Sequence, residues 1–463
     1  MNLKDLRKIR PILFNSEKIG VDLNQDNLDK FVYESYLKSG DIFLNELNGE
    51  FAFIFQDKKE NKIFVVRDWI GEVPLHYIID DDIIYFANFI TDLIDSVPNY
   101  SYERVVAVNR SEILEIDTNT KNIKKRLYYN FNEDKSNVDY ANLSKVAEKF
   151  HDLLFEAVKN RISNKTEESA LLLSGGIDSM SVAFIISKIN PNIPAYTIEV
   201  ASQQATDLVR AKNIAKVFGL KHEIVTVSKQ EIVDSIEESV SDSEIYHMYN
   251  VFCAVGMNGL AKILQNRGIK YVFTGEGGNE IFGDYHDWVI HDPATNKDVV
   301  LQKTAKIFDE PVGREAYIWG NLKAEKIGRY NIQLGSGLGK HGGSRMYKPM
   351  FKKGITLLSP YLEKEITKIG ANIPTDILRE IGGKPGFMKL VFSKEIERGE
   401  IPGEFFEIKK IRFQDASEGG ETGITETLLI KGYDQEKLIE IFNRIFKASV
   451  VGQPHLKETT LIK

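Results

Sequence analysis

The chain has 463 residues, of which 42% are hydrophobic and 27% are charged, and its net charge is −7. This length is too great for one hydrophobic core, so the sequence predicts two domains. The acidic balance argues against a protein that neutralises a nucleic acid backbone. The single cysteine, Cys253, excludes an internal disulfide framework and any zinc or iron–sulfur site built from several cysteines.

The N-terminus carries charged residues from Lys4 onward, and no long apolar run follows it. Neither a signal peptide nor a membrane-spanning segment is therefore expected. We expect a cytoplasmic protein.

The first part of the chain is rich in β-type runs separated by polar turns. A polar turn at 56–61 separates the first two runs, so these are expected to form a hairpin. The polar, unperiodic segment 128–137 is typical of a linker. The sequence predicts a mainly β domain over residues 1–130, with strands at 51–55, 62–67, 83–87 and 112–116.

From residue 140 the pattern changes to alternating helices and strands. The strands are apolar throughout, which predicts burial on both faces and a doubly wound parallel sheet. From about residue 285 to the end, helical segments are expected to dominate. The second domain, residues 140–463, has predicted helices at 143–161, 179–190 and 207–218, and predicted strands at 170–173, 195–200, 223–227 and 270–274.

A glycine-rich loop, Ser174-Gly-Gly-Ile-Asp-Ser179, joins the first of these strands to a helix. Glycines allow backbone N–H groups to approach an anion, and the helix N-terminus adds the positive end of its dipole. Asp178 would repel a phosphate, but it is a suitable ligand for Mg²⁺. The alternative is an ordinary βα turn capped by Ser or Asp. The sequence favours a pyrophosphate-binding loop.

A second glycine-rich turn, Thr274-Gly-Glu-Gly-Gly-Asn-Glu-Ile-Phe-Gly-Asp-Tyr285, follows another apolar strand. The first loop resembles the PP-loop of ATP pyrophosphatases, which cleave ATP between the α and β phosphates. The second resembles the Thr-Gly-Glu-Gly-Ser-Asp-Glu signature of asparagine synthetases. Two such loops in this order are more specific than either loop alone.

The likeness extends over most of the chain. Segments 47–53 and 66–77 resemble the back half of a class II glutaminase domain, whose nucleophile is an N-terminal cysteine. Position 2 of this chain is Asn2, so the resemblance implies a degenerate, truncated domain of the Ntn type without glutaminase activity.

The C-terminal half resembles asparagine synthetases and β-lactam or carbapenam synthetases. In that alignment Lys384 matches, and Lys410 is the essential active-site lysine, which would stabilise negative charge on an acyl-adenylate. Glu276 would position the attacking amine or take its proton. Lys348 and Tyr347 fall in a region implied to contact substrate.

The resemblance also implies a nucleotide site and a metal site. The family's second metal-binding Asp is Asn279 here, its Arg near the substrate is Leu358, and the Tyr–Glu dyad of β-lactam synthetases has no counterpart. A neutral amide oxygen can still coordinate Mg²⁺, and Glu280 is a weaker candidate. The implied ligands of ATP and pyrophosphate are Ser174, Gly175, Gly176, Asp178, Ser179, Leu172, Thr197, Val200, Gly275 and Gly277; those of Mg²⁺ are Asp178, Asn279 and Glu280.

The sequence therefore predicts an ATP-dependent, AMP-forming carbon–nitrogen ligase of a biosynthetic pathway, with ATP and Mg²⁺ as cofactors. Its substrates would be a small-molecule or peptide carboxylate and an amine, in one molecule or in two, without glutamine, nucleic acid or membrane. A homodimer is left open. The alternatives are ammonia-dependent amidation, a tRNA-modifying PP-loop enzyme, and a non-catalytic ATP-binding relative.

Overall fold

The structure is a computed structural model that describes residues 2–9, 11–15, 25–129, 138–162, 168–200, 206–246, 248–282, 287–292, 297–302, 345–407 and 423–450. The chain separates into two compact units. Unit 1 comprises residues 1–135 and 442–450, and unit 2 comprises 136–441 and 451–463.

Unit 1 is mainly β, as the sequence predicts. Its strands are β1 (Asn2–Asp5), β2 (Ile12–Leu13), β3 (Gly49–Glu50), β4 (Ala52–Asp57), β5 (Lys62–Arg67), β6 (His76–Asp80), β7 (Ile83–Ala87), β8 (Val106–Ala107), β9 (Glu112–Asp117) and β10 (Ile123–Leu127). One four-stranded sheet has the order β1-β7-β6-β8, and a second has the order β10-β9-β5-β4. The predicted hairpin is confirmed, because β4 and β5 pair antiparallel with Phe53 opposite Val66.

Unit 1 also contains two helices that the sequence does not predict individually, α1 (Gln25–Ser39) and α2 (Ile90–Ser96), and 3₁₀ turns at Gly40–Asn45 and Tyr102–Arg104. Phe51, Phe53 and Phe64 are buried in the core that α1 covers through Leu28 and Val32. The ring of Tyr102 packs edge-on against Phe442, with centroids 5.2 Å apart.

Unit 2 is built around a five-stranded sheet with the order β13-β12-β11-β14-β17, and all its pairs are parallel. The strands are β11 (Ser169–Leu172), β12 (Ala195–Val200), β13 (His222–Val227), β14 (Tyr271–Phe273) and β17 (Thr356–Leu358). The predicted parallel sheet is confirmed, and β17 is a fifth strand that the sequence does not predict. The order reverses between β11 and β14, so these neighbouring strands form the topological switch point of the sheet.

The helices of unit 2 are α3 (Leu143–Ile162), α4 (Ile177–Ile189), α5 (Thr206–Phe218), α6 (Lys229–Asp234), α7 (Ile236–Ser243), α8 (Met248–Asn266), α9 (Gly278–Phe282), α10 (Tyr347–Lys352), α11 (Lys364–Asn372), α12 (Thr375–Glu380), α13 (Gly383–Val391), α14 (Ser393–Glu397) and α15 (Ile424–Ile430). Helix α16 (Gln435–Phe446) belongs to both units, and 3₁₀ turns lie at Pro360–Leu362 and Gly403–Phe406. The predicted helices at 143–161, 179–190 and 207–218 are confirmed as α3, α4 and α5.

Among the described residues after 285, helices predominate, as the sequence predicts. The structure adds β15 (Asp287–Asp292) and β16 (Lys297–Gln302), an antiparallel pair that the sequence does not predict. The short apolar runs 288–290 and 299–301, rich in β-branched residues, suit strands.

The core of unit 2 lies around α4, which is apolar on nearly its whole circumference. Met180, Val182, Ala183, Ile185 and Ile186 are all fully buried. A helix that is apolar on all sides is expected to be buried on all sides. The burial of α4 holds its N-terminus in place beside the end of β11. Among the described residues, no helix is long and apolar enough to cross a membrane.

Candidate active site

The first glycine-rich loop lies between β11 and α4, at the carboxyl end of the sheet. Its serines are bonded to each other: the Ser174 N–H donates to Ser179 Oγ at 3.1 Å, and the two hydroxyl oxygens are 3.0 Å apart. The Ser179 hydroxyl donates to the Gly176 carbonyl at 3.1 Å, so the Ser174 hydroxyl must donate to Ser179. These hydrogen bonds close the loop into a ring.

Helix α4 begins without a side-chain cap. Gly176 is its N-cap residue, in an extended conformation, and no side chain bonds to the first N–H groups from this position. The first turn of a helix has N–H groups without intrahelical acceptors, and the helix dipole makes this end positive. This N-terminus therefore suits an anion.

The second glycine-rich loop, between β14 and α9, lies directly against the first. A Cβ atom at Gly275 would stand 2.6 Å from the Ser179 backbone N and 2.7 Å from Asp178 Cβ. A Cβ atom at Gly278 would stand 2.4 Å from Asp178 Oδ1. Only glycine permits such close approach, so these two positions join the loops into one site.

A buried lysine completes this site. Lys384, in α13, is 3% exposed, and its ammonium donates to Asp178 Oδ1 at 3.1 Å and to Oδ2 at 2.9 Å. The same ammonium donates to Asn279 Oδ1 at 2.5 Å. Two of the three side chains predicted to bind metal, Asp178 and Asn279, are therefore brought together, with Lys384 between them.

A carboxylate and an amide oxygen are ligands of the kind that Mg²⁺ uses, so the donor chemistry of Asp178 and Asn279 fits this ion. Among the described residues, no group of three or more His, Cys, Asp or Glu side chains forms a metal cluster. Glu280 lies in α9, but its side chain is outside the described residues.

Tyr361 lies close enough to Asp178 for an electrostatic interaction between the two side chains. Burial, followed by the negative charge of Asp178, raises the pKa of Tyr361 well above its ordinary value of 10.0. The hydroxyl therefore stays protonated at neutral pH, and Tyr361 adds no charge to the site there.

The remaining nucleotide-site predictions fall at or near the same sheet edge. Leu172 ends β11, Val200 ends β12, and Gly277 lies in the second loop. The Thr197 hydroxyl donates to the Leu173 carbonyl and lies 2.8 Å from His222 Nε2. Because that hydroxyl has one proton, His222 Nε2 must be the donor.

Glu276 lies in the second loop, and its side chain is 13% exposed. Arg345, which the sequence does not single out, places its guanidinium 3.9 Å from the Glu276 carboxylate. The sequence does not predict that Arg345 pairs with Glu276, because nearly seventy residues separate them along the chain.

The predicted substrate residues are buried in α10. Lys348 forms an ion pair with Glu244, whose side chain is fully buried, and the Tyr347 hydroxyl lies 2.5 Å from Ser359 Oγ. Glu244 caps α7 in the left-handed conformation, with φ of 57°. A role in substrate contact stays a prediction. Lys410 lies outside the described residues.

Two family models match the chain: asparagine synthase over residues 149–338, and glutamine amidotransferase domain over residues 18–95. A probable glutamine-hydrolysing asparagine synthetase of Acanthamoeba polyphaga mimivirus is 23% identical over 423 residues, covering 87% of this chain and 70% of that protein. One from Lotus japonicus is 24% identical over 396 residues, covering 82% of this chain and 60% of that protein.

Solved structures give a weaker likeness. An NH₃-dependent NAD synthetase from Campylobacter jejuni has 21% identity and a TM-score of 0.23, covering 32% of this chain and 62% of that one. An NMN synthetase from Francisella tularensis has 13% identity and a TM-score of 0.22, covering 67% of this chain and 98% of that one. Scores of this size do not establish a common structure.

Proposed function

We propose that this chain, which matches the asparagine synthase model over residues 149–338 and a glutamine amidotransferase domain model over residues 18–95, forms an amide bond at the expense of ATP through an acyl-adenylate. The observation that carries the proposal is the contact between the two glycine-rich loops at the switch point of a parallel sheet. In open α/β sheets, ligands bind outside the carboxyl ends of the strands at this point.

The first step activates a carboxylate. A carboxylate oxygen attacks the α phosphorus of ATP, the bond from that phosphorus to the α–β bridging oxygen breaks, and pyrophosphate leaves with the bonding electrons. The Ser174–Ser179 loop and the N-terminus of α4 are suited to holding the leaving pyrophosphate, since the first turn of this helix presents backbone N–H donors without a side-chain cap. Asp178 would hold a Mg²⁺ ion, which would neutralise part of the phosphate charge.

The second step forms the amide. An amine attacks the activated carbonyl carbon, AMP leaves as its bond to the carbonyl breaks, and the amine loses a proton. Glu276 is the candidate to take that proton or to position the amine, and the Arg345 guanidinium lies 3.9 Å from its carboxylate. Lys410 is proposed to stabilise the negative charge of the tetrahedral intermediate.

We propose that the amine does not come from glutamine. The only cysteine of the chain, Cys253, is buried in α8 of unit 2. Asn2 lies in β1, where its N–H donates to the Asp82 carbonyl at 2.6 Å. Neither residue offers a thiol to glutamine, so incubation with glutamine should release no glutamate. The amine then belongs to the carboxylate substrate itself or to a second small molecule or peptide, as in natural-product or modified amino acid assembly.

Ammonia-dependent amidation of an aspartate-like acid is the second candidate. It is favoured by Glu276, which matches the asparagine synthetase pattern. A non-catalytic ATP-binding protein is the outcome if ATP binds but no carboxylate is activated.

The test is a panel of amino acids, β-amino acids and short peptides, read by release of pyrophosphate. We expect release with one class of carboxylate, and the intact mass of the product then separates an internal amide from a second amine or from ammonia. Silence across the panel, with ATP still bound, would reject amide synthesis.

A further inference from the structure

The Lys384 ammonium lies between two oxygen donors that suit a metal ion. It contacts both carboxylate oxygens of Asp178, within 3.1 Å, and the amide oxygen of Asn279. Lys384 is 3% exposed, Asn279 is 7% exposed and Asp178 is 8% exposed. Water therefore screens the charges of these three side chains only weakly. The net charge of the three side chains then determines which ions can bind beside them.

The charges of the three side chains cancel. Asp178 carries −1, Asn279 is neutral and Lys384 carries +1, so nothing in the trio attracts a divalent cation from solution. A metal ion bound to Asp178 would also lie near the buried ammonium, and like charges repel strongly in a poorly screened site. With Asp in place of Asn279, the trio would carry −1 and would attract a cation.

We propose that Lys384 is a built-in counter-cation that keeps free divalent metal out of the Asp178–Asn279 site, so that the metal enters only together with a nucleoside triphosphate. This inference rests on the proposed function and adds an order of binding to it. The triphosphate brings the negative charge that the trio lacks, and it offers the ammonium a partner other than Asp178. In this proposal Lys384 is a positioning residue, because it acts on the metal through Asp178 and Asn279. The neutral side chain of Asn279 sets the net charge of the three side chains to zero.

The experiment measures Mn²⁺, a spectroscopic substitute for Mg²⁺, by the loss of its free electron paramagnetic resonance signal. The full-length protein is titrated with Mn²⁺ alone, and then with Mn²⁺ and α,β-methylene-ATP, an analogue that is not cleaved at the α–β position. Three variants are compared with the native protein: Asn279→Asp, Lys384→Met and the control Lys389→Met. Lys389 lies in the same helix, α13, but is exposed and paired with Glu407.

We expect the native protein and Lys389→Met to bind Mn²⁺ only when the analogue is present. Asn279→Asp and Lys384→Met should bind Mn²⁺ without nucleotide, with an affinity at least about tenfold higher than that of the native protein, because each adds one net negative charge near the metal. Equal affinity of the native protein and both variants for Mn²⁺ alone would overturn the proposal.

Two controls keep this result interpretable. If Lys384→Met fails to fold, as shown by circular dichroism, Asn279→Asp decides alone, because it removes no buried partner. The titration without nucleotide requires neither ATP binding nor turnover. If the native protein binds neither the analogue nor ATP, the proposed function fails, whereas the response of the variants to Mn²⁺ alone still tests the role of Lys384.

Discussion

Replacing Gly278 with alanine tests the contact between the two loops. The new Cβ would lie 2.4 Å from Asp178 Oδ1 and 2.5 Å from Asp178 Cγ. Carbon and oxygen atoms that are not bonded do not approach so closely, so either the carboxylate turns away or α9 shifts. The carboxylate cannot turn freely, because both of its oxygens accept hydrogen bonds from Lys384.

The size of the effect follows from this crowding. Overpacking a buried site typically lowers the free energy of unfolding by about 1–3 kcal/mol. A shift of about 1 Å in a group that positions the reacting atoms reduces the rate on the order of 100-fold. We therefore expect Gly278→Ala to be moderately destabilised and to lose nearly all carboxylate-dependent pyrophosphate release.

The matched control is Gly176→Ala in the other loop. A Cβ there would meet only Ser174 Oγ, at 3.5 Å, which is an ordinary contact. The free energy of unfolding of Gly176→Ala, measured in denaturant, should be close to that of the native protein. Only stability is compared for this variant, because Gly176 belongs to the proposed pyrophosphate site. If Gly278→Ala is as stable and as active as the native protein, the close contact between Gly278 and Asp178 is refuted.

Three further predictions concern other parts of the chain. Lys410→Ala should reduce amide formation at least about 100-fold and leave ATP affinity nearly unchanged, measured by calorimetry; loss of ATP binding would assign the lysine elsewhere. Lys348→Met should cost about 3–5 kcal/mol in urea unfolding, because it leaves the buried Glu244 carboxylate without its ammonium partner. The double variant with Glu244→Gln should recover part of that loss, and no recovery would mean that the two side chains are not coupled. Burial, and then the charge of Lys212, lower the pKa of His222 below 6.5, so the unfolded chain binds a proton more readily. Stability should fall as pH drops from about 6.5 to the lower folded pKa, and His222→Gln should lack this change.

The parts of the fold that the sequence predicts are those with a strong local signal. The apolar run 170–173 and the glycines after it indicate a buried strand followed by a tight turn, and the structure has both. Strand β17 escapes prediction because it is three residues long and is defined by its pairing with β14. Helix α1 escapes because its polar and apolar residues give only a weak helical pattern.

The same distinction holds for the candidate site. The two loops are recognisable because each combines a strand end with glycines in one short segment. The partners of Lys384 are not recognisable from the sequence, since Asp178 lies 206 positions away and Asn279 lies 105 positions away. The sequence shows that Asn279 is neutral where the resembled family has a charged Asp. The structure adds that Lys384 contacts both Asn279 and Asp178.

The central claim is that the carboxylate becomes bonded to the α phosphorus of ATP. The most direct measurement labels the carboxylate oxygens of an accepted substrate with heavy oxygen and analyses the released AMP by mass spectrometry. An acyl-adenylate predicts that one labelled oxygen is found in the phosphate of AMP, with pyrophosphate as the other product. Unlabelled AMP, or ADP and inorganic phosphate in its place, would contradict it.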